Sequence, residues 1–299
     1  MNHLALVGAT LREAWVRKTA LVLAALALGA LAFYAVGFEV RPSDDPDMVT
    51  FLLLGSTNPL AHDFDPDDPG ASARSRVPRQ AVVFFSALLA AGLLNPIGVF
   101  LGLFVVVSLF AAALEPGHAA WVLSKPVSRA SLLLSRYAGG LLLGAGTALG
   151  FVLAMAALIA WKTGVWPAPL VTAGALYAVN FAVLAGFGLL LAVWTRSAAN
   201  SLMLTFLLYV ATGFLHALPD LPFYESLPAW ARWAGQGAYH VLPKLTDLEL
   251  IAQQALGALA FEGVAARPHA EPAMALTTSA AFLAAALGLA LWEFRRRDL

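Results

Sequence analysis

The chain has 299 residues, of which 60% are hydrophobic and 12% charged, and its mean hydropathy is +0.77. Soluble domains carry about a quarter charged residues and just under half apolar ones, so this composition excludes an ordinary soluble enzyme, a nucleic-acid-binding protein and a disordered tail. The 18 basic and 18 acidic residues cancel, leaving no basic surface for nucleic acid, and the absence of cysteine excludes disulfides, thiolate metal sites and a cysteine nucleophile.

In chain order, the first predicted element is a short helix over residues 3–18, within an interfacial segment 1–18. Leu4, Val7, Leu11, Trp15 and Lys18 share a face at helical spacing, while Arg12, Glu13 and Arg17 are polar. Such a helix lies in a membrane interface and does not cross it. Six stretches beyond it contain no Asp, Glu, Lys or Arg: Thr19–Phe38, Gln80–Leu114, Tyr137–Trp161, Thr163–Thr195, Ser197–Pro219 and Pro272–Trp292. A crossing helix needs about 20 largely apolar residues. These runs therefore predict spans at about 19–38, 81–114, 137–161, 170–195, 197–217 and 273–292. The expected fold class is an all-α integral membrane protein with six transmembrane helices, forming one transmembrane domain over 1–299. The first run is not read as a cleavable signal peptide, because it lacks a small-residue cleavage site before the polar segment that follows.

Residues 39–79 form a polar loop rich in Pro and Asp, which predicts turns and irregular backbone. Its acids Asp63, Asp65, Asp67 and Asp68 do not fit a calcium-hand loop: counted from Asp63, the sixth position is Asp68 where Gly is needed, and the twelfth is Arg74 where Glu is needed. They read as a solvated acidic cluster. The Gln80–Leu114 run is longer than one crossing needs, and Asn95-Pro96 sits near its middle. Proline removes a backbone donor and kinks a helix, so one long bent helix is expected, with a broken pair of half-helices as the alternative.

The segment 115–136 begins with Glu115, has room for one or two helical turns over His118–Leu123, and is broken by Ser124-Lys125-Pro126. Ser128 then suits the cap of a new helix leading into the third span. A short, stiff, basic helix held between two spans is what a lever to a cytosolic partner requires. An ordinary basic inner loop accounts for the same residues equally well. Trp161–Pro169 predicts a tight hairpin. The last large loop, 220–271, is the largest soluble piece, with helices expected near Leu227–Ala238 and Asp247–Ala260; Leu227, Trp230 and Trp233 lie near one face of the first. With 39–79, this loop is expected to form a folded extracytoplasmic cap.

Charge sets the expected orientation. With both termini cytoplasmic, the inner segments carry ten basic residues (Arg12, Arg17, Lys18, Lys125, Arg129, Arg136, Arg196, Arg295, Arg296 and Arg297) against four acidic ones, and the outer segments carry eight against fourteen. Basic residues near span ends are retained in the cytoplasm. Trp15, Trp161, Trp166, Trp194 and Trp292 fall at or near span ends, where amphipathic rings prefer the headgroup layer. Gly98 with Gly102, Gly140 with Gly144, and Gly146 with Gly150 repeat at four-residue spacing, which fits close helix packing within one bundle better than a dedicated subunit interface.

The residues offer little catalytic chemistry. No ionisable acid or base lies within a predicted span, which counts against an ion-coupled carrier. There is no phosphate loop and no Gly-Lys dipeptide. The histidines, His3, His62, His118, His216, His240 and His269, form no pair at helical spacing, so no metal site is readable. No Gly-x-Ser-x-Gly turn marks a serine nucleophile.

The stretch Leu123-Ser-Lys-Pro-Val-Ser-Arg129, followed by Ser135-Arg136-Tyr137 and Gly139, resembles the inner-loop pattern of ABC-2 type transporter permeases, including the branch that holds the permease of the nitrous-oxide-reductase maturation transporter. Thr10-Leu-Arg-Glu-Ala14 is similar to that family's interfacial helix, His240-Val-Leu-Pro-Lys-Leu-Thr246 to its outer segment, and Phe294-Arg-Arg-Arg-Asp298 to its closing residues. The resemblance covers the six-span plan, with specific residues matching mainly across 115–139. Ser135-Arg136 stands where Gly-Lys is usual in the family, and His118 where Thr is usual.

The resemblance implies a permease subunit, not itself an enzyme, in a bacterial or archaeal plasma (inner) membrane. It implies a homodimer of six-span permeases, in contact with membrane lipid, over two cytosolic ABC ATPase subunits that bind the ATP and Mg; no cofactor belongs to this chain. The segment 115–136 would include the coupling helix, with Glu115, Lys125 and Arg129 making polar contacts to the ATPase, Trp121 and Leu123 filling an apolar groove, and Pro126 bounding the helix. Export is the expected activity. An integral-membrane enzyme acting on a lipid substrate and a non-transporting scaffold are the alternative classes.

Overall fold

The computed structural model describes residues 3–42, 47–53, 56–57, 76–113, 128–257 and 271–296. Six helical stretches are long and apolar enough to cross a membrane: Thr19–Gly37, Arg79–Ala113, Arg129–Thr163, Ala168–Thr195, Ala198–Asp220 and Pro272–Arg296. Apolar side chains alone do not dictate helices. In hydrocarbon the backbone must satisfy its own hydrogen bonds, and a helix does so within one segment.

The helices are α1 (His3–Val16), α2 (Thr19–Gly37), α3 (Arg79–Gly92), α4 (Val99–Ala113), α5 (Arg129–Thr163), α6 (Ala168–Thr195), α7 (Ala198–Ala217), α8 (Ala229–Val241), α9 (Leu245–Gly257) and α10 (Pro272–Arg296). α2, the α3–α4 pair, α5, α6, α7 and α10 run alternately up and down. The end holding α1, the start of α5 and the end of α10 is called basal here.

At the opposite end four short strands form an antiparallel sheet: β1 (Phe38–Pro42), β2 (Met48–Leu53), β3 (Ser56–Thr57) and β4 (Arg76–Pro78). β2 is central. Phe38 faces Leu53 and Pro42 faces Val49 on one side, while Met48 faces Pro78 and Thr50 faces Arg76 on the other. The irregular backbone expected for the first loop is thus corrected over these strands. Phe-Glu-Val-Arg and Met-Val-Thr-Phe-Leu-Leu are rich in the β-branched and aromatic residues that suit a pleated surface, and Phe38, Val49 and Leu52 are buried. The acidic cluster Asp63–Asp68 lies outside the described residues.

The second span is broken, as the alternative reading had it. The two helices meet at a kink within Leu93–Gly98, where Asn95 alone leaves the helical region, extended at φ −128° and ψ 122°. A residue before proline is pushed out of the helical region, and Pro96 has no amide to donate.

α6 is the hub, 67% buried over its most apolar stretch against 17% for α2. Its Leu184, Leu189 and Val193 pack with Val106, Val107 and Phe110 of α4 and with Leu133 and Tyr137 of α5. Nearer the sheet, Leu170, Ala173 and Tyr177 meet Val152 and Ile159 of α5. The Phe181 ring lies against Gly102 and Gly144, and a Cβ at Gly102 would come within 2.8 Å of it. Those glycines pack within this chain, as does Gly140 against Val106 and Phe110, whereas Gly146 and Gly150 have nothing within 4 Å.

The two helices of the last loop form close to the expected positions but serve different ends. α8 is amphipathic, and Trp230, Trp233 and Val241 on one face are each 74–75% exposed. α9 is not a free-standing soluble helix. Its Leu245, Leu248, Ala252 and Leu256 are all buried, and it packs among α6, α7 and α10. The Asn180 amide of α6 donates to the Leu245 carbonyl at 3.0 Å. Asn180 is twelve residues into α6, about 18 Å along it at 1.5 Å per residue. The loop therefore folds back into the bundle.

Candidate functional site

Two sets of residues carry the functional reading: the basal end, which flanks segment 115–127, and a polar cluster brought inside by α9.

At the basal end α1 docks on α5 through its small face. Leu6, Thr10 and Ala14 are buried, and Thr10 nests on Gly139, where a Cβ would lie 2.7 Å from the threonine Cβ. Val7, Leu11 and Trp15 are not the buried residues of α1; Trp15 is 62% exposed and Lys18 is exposed. The large apolar side chains face outward, and the small residues permit close backbone approach. Glu13 forms an ion pair with Arg136, and Arg17 Nε lies 3.2 Å from Glu13 Oε1. The Arg136 side chain is only 8% exposed, and that of Glu13 17%. Arg12 remains exposed.

Ser128 caps α5 as expected: its hydroxyl accepts from the Ser131 amide at 3.1 Å. Arg129 donates to the Phe294 and Arg295 carbonyls at 3.4 and 3.2 Å, so it closes the C-terminal turn of α10. Glu115, Trp121, Leu123, Lys125 and Pro126 lie outside the described residues. The residues that bracket them, Ala113 and Ser128, both lie at the basal end.

At the far end of α5, the Lys162 ammonium donates to the Ala35 carbonyl at 2.7 Å and to the Phe38 carbonyl. This uninterrupted 35-residue helix is about 52 Å long and ties the basal end to the sheet.

The interior cluster was not anticipated. The spans are free of acids and bases as read, but α9 carries Asp247 and Glu249 in among them, and Lys244 precedes it. Lys244 and Asp247 are 3% and 2% exposed. Asp247 Oδ1 lies 2.7 Å from His216 Nδ1, and the Tyr239 hydroxyl donates to Asp247 Oδ2 at 2.6 Å. The Lys244 ammonium sits 3.1 Å from the Tyr239 ring centroid and donates to the Tyr239 carbonyl at 3.4 Å. Burial pushes the lysine pKa down, and Asp247 partly opposes that shift. Burial first, and then the bond to Asp247, push the Tyr239 phenol up.

Two residues further on, on the opposite side of α9, the Glu249 carboxylate faces the Asn95 amide of the broken span and the Tyr209 hydroxyl of α7. Burial raises its pKa, and both neighbours partly offset the rise. Glu249 Oε1 is buried without a hydrogen-bond partner among the described residues. The missed signal was the apolar spacing Leu245, Leu248, Ala252, Leu256, one stripe that has to be buried against something.

Two cavities lie in the bundle, and the first adjoins the cluster. One of about 320 Å³ lies between α7 and α8 and is lined by His216, Asp220, Gln236, Tyr239 and His240. The other, of about 330 Å³, is apolar and lies between α2, the Leu93–Gly98 break, α5 and α6, with Tyr177 in its wall. Among the described residues no group of three or more His, Asp and Glu side chains is placed to hold a metal ion.

The chain matches no family model and none of the curated proteins. Six apolar crossing helices around a buried hub define its class, a helical multi-pass membrane protein.

Proposed function

We propose that this chain is the permease subunit of an ABC-2 type ATP-driven exporter, working as a homodimer over two ATPase subunits that hold the ATP and Mg. The carrying observation is α5. It begins where the 115–127 segment ends, crosses without a break and is tied to α2 and the sheet through Lys162. A rod of about 52 Å transmits displacement from an ATPase to the far end. α1 rides on the same helix through the Glu13–Arg136 pair and the Thr10–Gly139 contact. The family-like stretch ends in Ser128 and Arg129, which open that rod at the basal end.

The basal end is cytoplasmic in this reading. Arg12, Arg17, Lys18, Arg129, Arg136, Arg196, Arg295 and Arg296 lie there with Glu13 and Glu293, an excess of positive charge close to span ends. The membrane is a bacterial or archaeal plasma membrane. The exposed tryptophans of both ends, Trp15, Trp194 and Trp292 at the base and Trp161 and Trp166 opposite, suit its two interfaces.

A second reading, a membrane enzyme acting on lipid, is favoured by the His216–Asp247 pair beside a polar cavity. Affinity isolation of the tagged chain from its own membranes separates the two. The permease reading expects an ATP-hydrolysing subunit to accompany the chain. Isolation of the chain alone, with lipid turnover lost in His216→Ala, would favour the enzyme.

A further inference from the structure

Glu249 poses a specific physical problem. The residue is half-buried, its carboxylate faces Asn95 of the break in the second span and Tyr209 of α7, and its buried Oε1 has no hydrogen-bond partner among the described residues. An ionised carboxylate in such a place is costly unless it is paired or hydrogen-bonded. Asn95 and Tyr209 give it part of that support, but Oε1 keeps no hydrogen-bond partner among the described residues. Lys244 is engaged at the Tyr239 ring and carbonyl, and Lys162 at the Ala35 and Phe38 carbonyls.

The surroundings point to the missing partner. Tyr209 presents its hydroxyl and packs edge-on against Phe100, with ring centroids 5.3 Å apart at 90°. The Tyr177 phenol lies within electrostatic reach of Glu249. Asn95 adds an amide from an extended residue. Non-helical backbone at membrane depth is tolerated only where it is buried in protein or lines a cavity. A carboxylate, two phenols and an amide favour a cation that donates hydrogen bonds, and they repel an anion. They supply too few hard oxygen ligands for a divalent metal ion, which takes about six. Tyr177 also stands in the wall of the 330 Å³ cavity, whose other lining includes Leu26, Leu94, Ile97 and Phe151. That volume lies within the range of about 300–1,000 Å³ of small-molecule pockets.

We propose that Glu249, Asn95, Tyr177 and Tyr209 bind the primary ammonium head of an amphiphile, and that the apolar cavity beside Tyr177 takes its hydrocarbon tail. Burial raises the Glu249 pKa, and a cation bound beside the carboxylate would oppose that rise. As an assignment of transport substrate this rests on the permease reading; as a binding site it does not.

The test uses the full chain in lipid nanodiscs and two fluorescent probes, derivatives of dodecylamine and dodecanol. A charge-assisted hydrogen bond corresponds to about a tenfold gain in affinity, so the amine is expected to bind about tenfold more tightly than the alcohol. Glu249→Gln should abolish that preference while leaving alcohol binding intact, which also shows that the variant is folded. Glu249→Asp should retain part of it, and the exposed Glu225→Gln all of it. Equal binding of both probes by the parent chain, or an amine preference unchanged in Glu249→Gln, would overturn the proposal. Neither result bears on whether an ATPase accompanies the chain, so the two readings fail separately.

Discussion

The docking of α1 on α5 is open to direct perturbation through Glu13→Gln. The substitution keeps the shape but leaves the Arg136 guanidinium, 8% exposed, facing a neutral amide. Removing one partner of a fully buried ion pair costs about 3–5 kcal/mol. Glu13 keeps 17% exposure and also meets Arg17 at the helix surface, so a loss of about 2–3 kcal/mol is the reasoned figure. That is a rise of about 30- to 150-fold in the undocked population.

The assay uses the absence of native cysteine. Leu6→Cys places a smaller thiol on the docked face, at a position 5% exposed, and its reaction rate with a soluble thiol reagent reports undocking. Glu13→Gln and Arg136→Gln should each accelerate labelling by the stated factor. The double variant should fall well short of the product of the two, because both changes act on one interaction. If either single change leaves the rate within about twofold of the parent, the ion pair does not hold α1.

Further outcomes follow from the same packing. Gly140→Ala drives a Cβ to within 2.6 Å of Val106 and should lower thermal stability by about 1–3 kcal/mol, whereas Gly146→Ala, with nothing within 4 Å, should be neutral or stabilising by up to about 1 kcal/mol; melting in detergent separates them. Glu249 has a raised pKa in the fold, so its contribution to stability is present below the unfolded carboxylate value and is lost as pH rises through the folded one. Glu249→Gln should therefore raise the melting temperature of the ligand-free chain at neutral pH and flatten its pH dependence between those two values. For orientation, Ser72→Cys should react with an impermeant thiol reagent on intact cells and Ser124→Cys should not; the reverse pattern would invert the topology.

Much of the fold was legible because hydrophobic run length is a direct physical signal. The spans fall where the charge-free runs do, and Ser128 caps α5 as its hydroxyl and position suggested. Asn95-Pro96 marked the place of the break but not its degree, since proline is compatible with both a kink and an interruption. The face of α1 that meets α5 was not named by the sequence pattern, which showed only an apolar face suited to a membrane interface. Against another helix the small face of Leu6, Thr10 and Ala14 wins, and the large residues turn outward. The sheet was hidden by the Pro and Asp around it. The interior acids were invisible for a different reason: they come from a polar loop, and only tertiary folding carries α9 back against Asn180. The charge-free spans thus gave a true statement about the runs and an incomplete one about the bundle.

The central claim is that segment 115–127 meets an ATPase, and proximity at Ser124 tests it most directly. A photoreactive cross-linker attached through Ser124→Cys in the full chain, activated in native membranes, is expected to capture an ATP-binding subunit. Capture should fall by about 30-fold or more when Trp121→Ala removes an anchor contributing about 2 kcal/mol. Cross-linking only to lipid, or to an ATPase with equal yield from Ser72→Cys, would contradict the account.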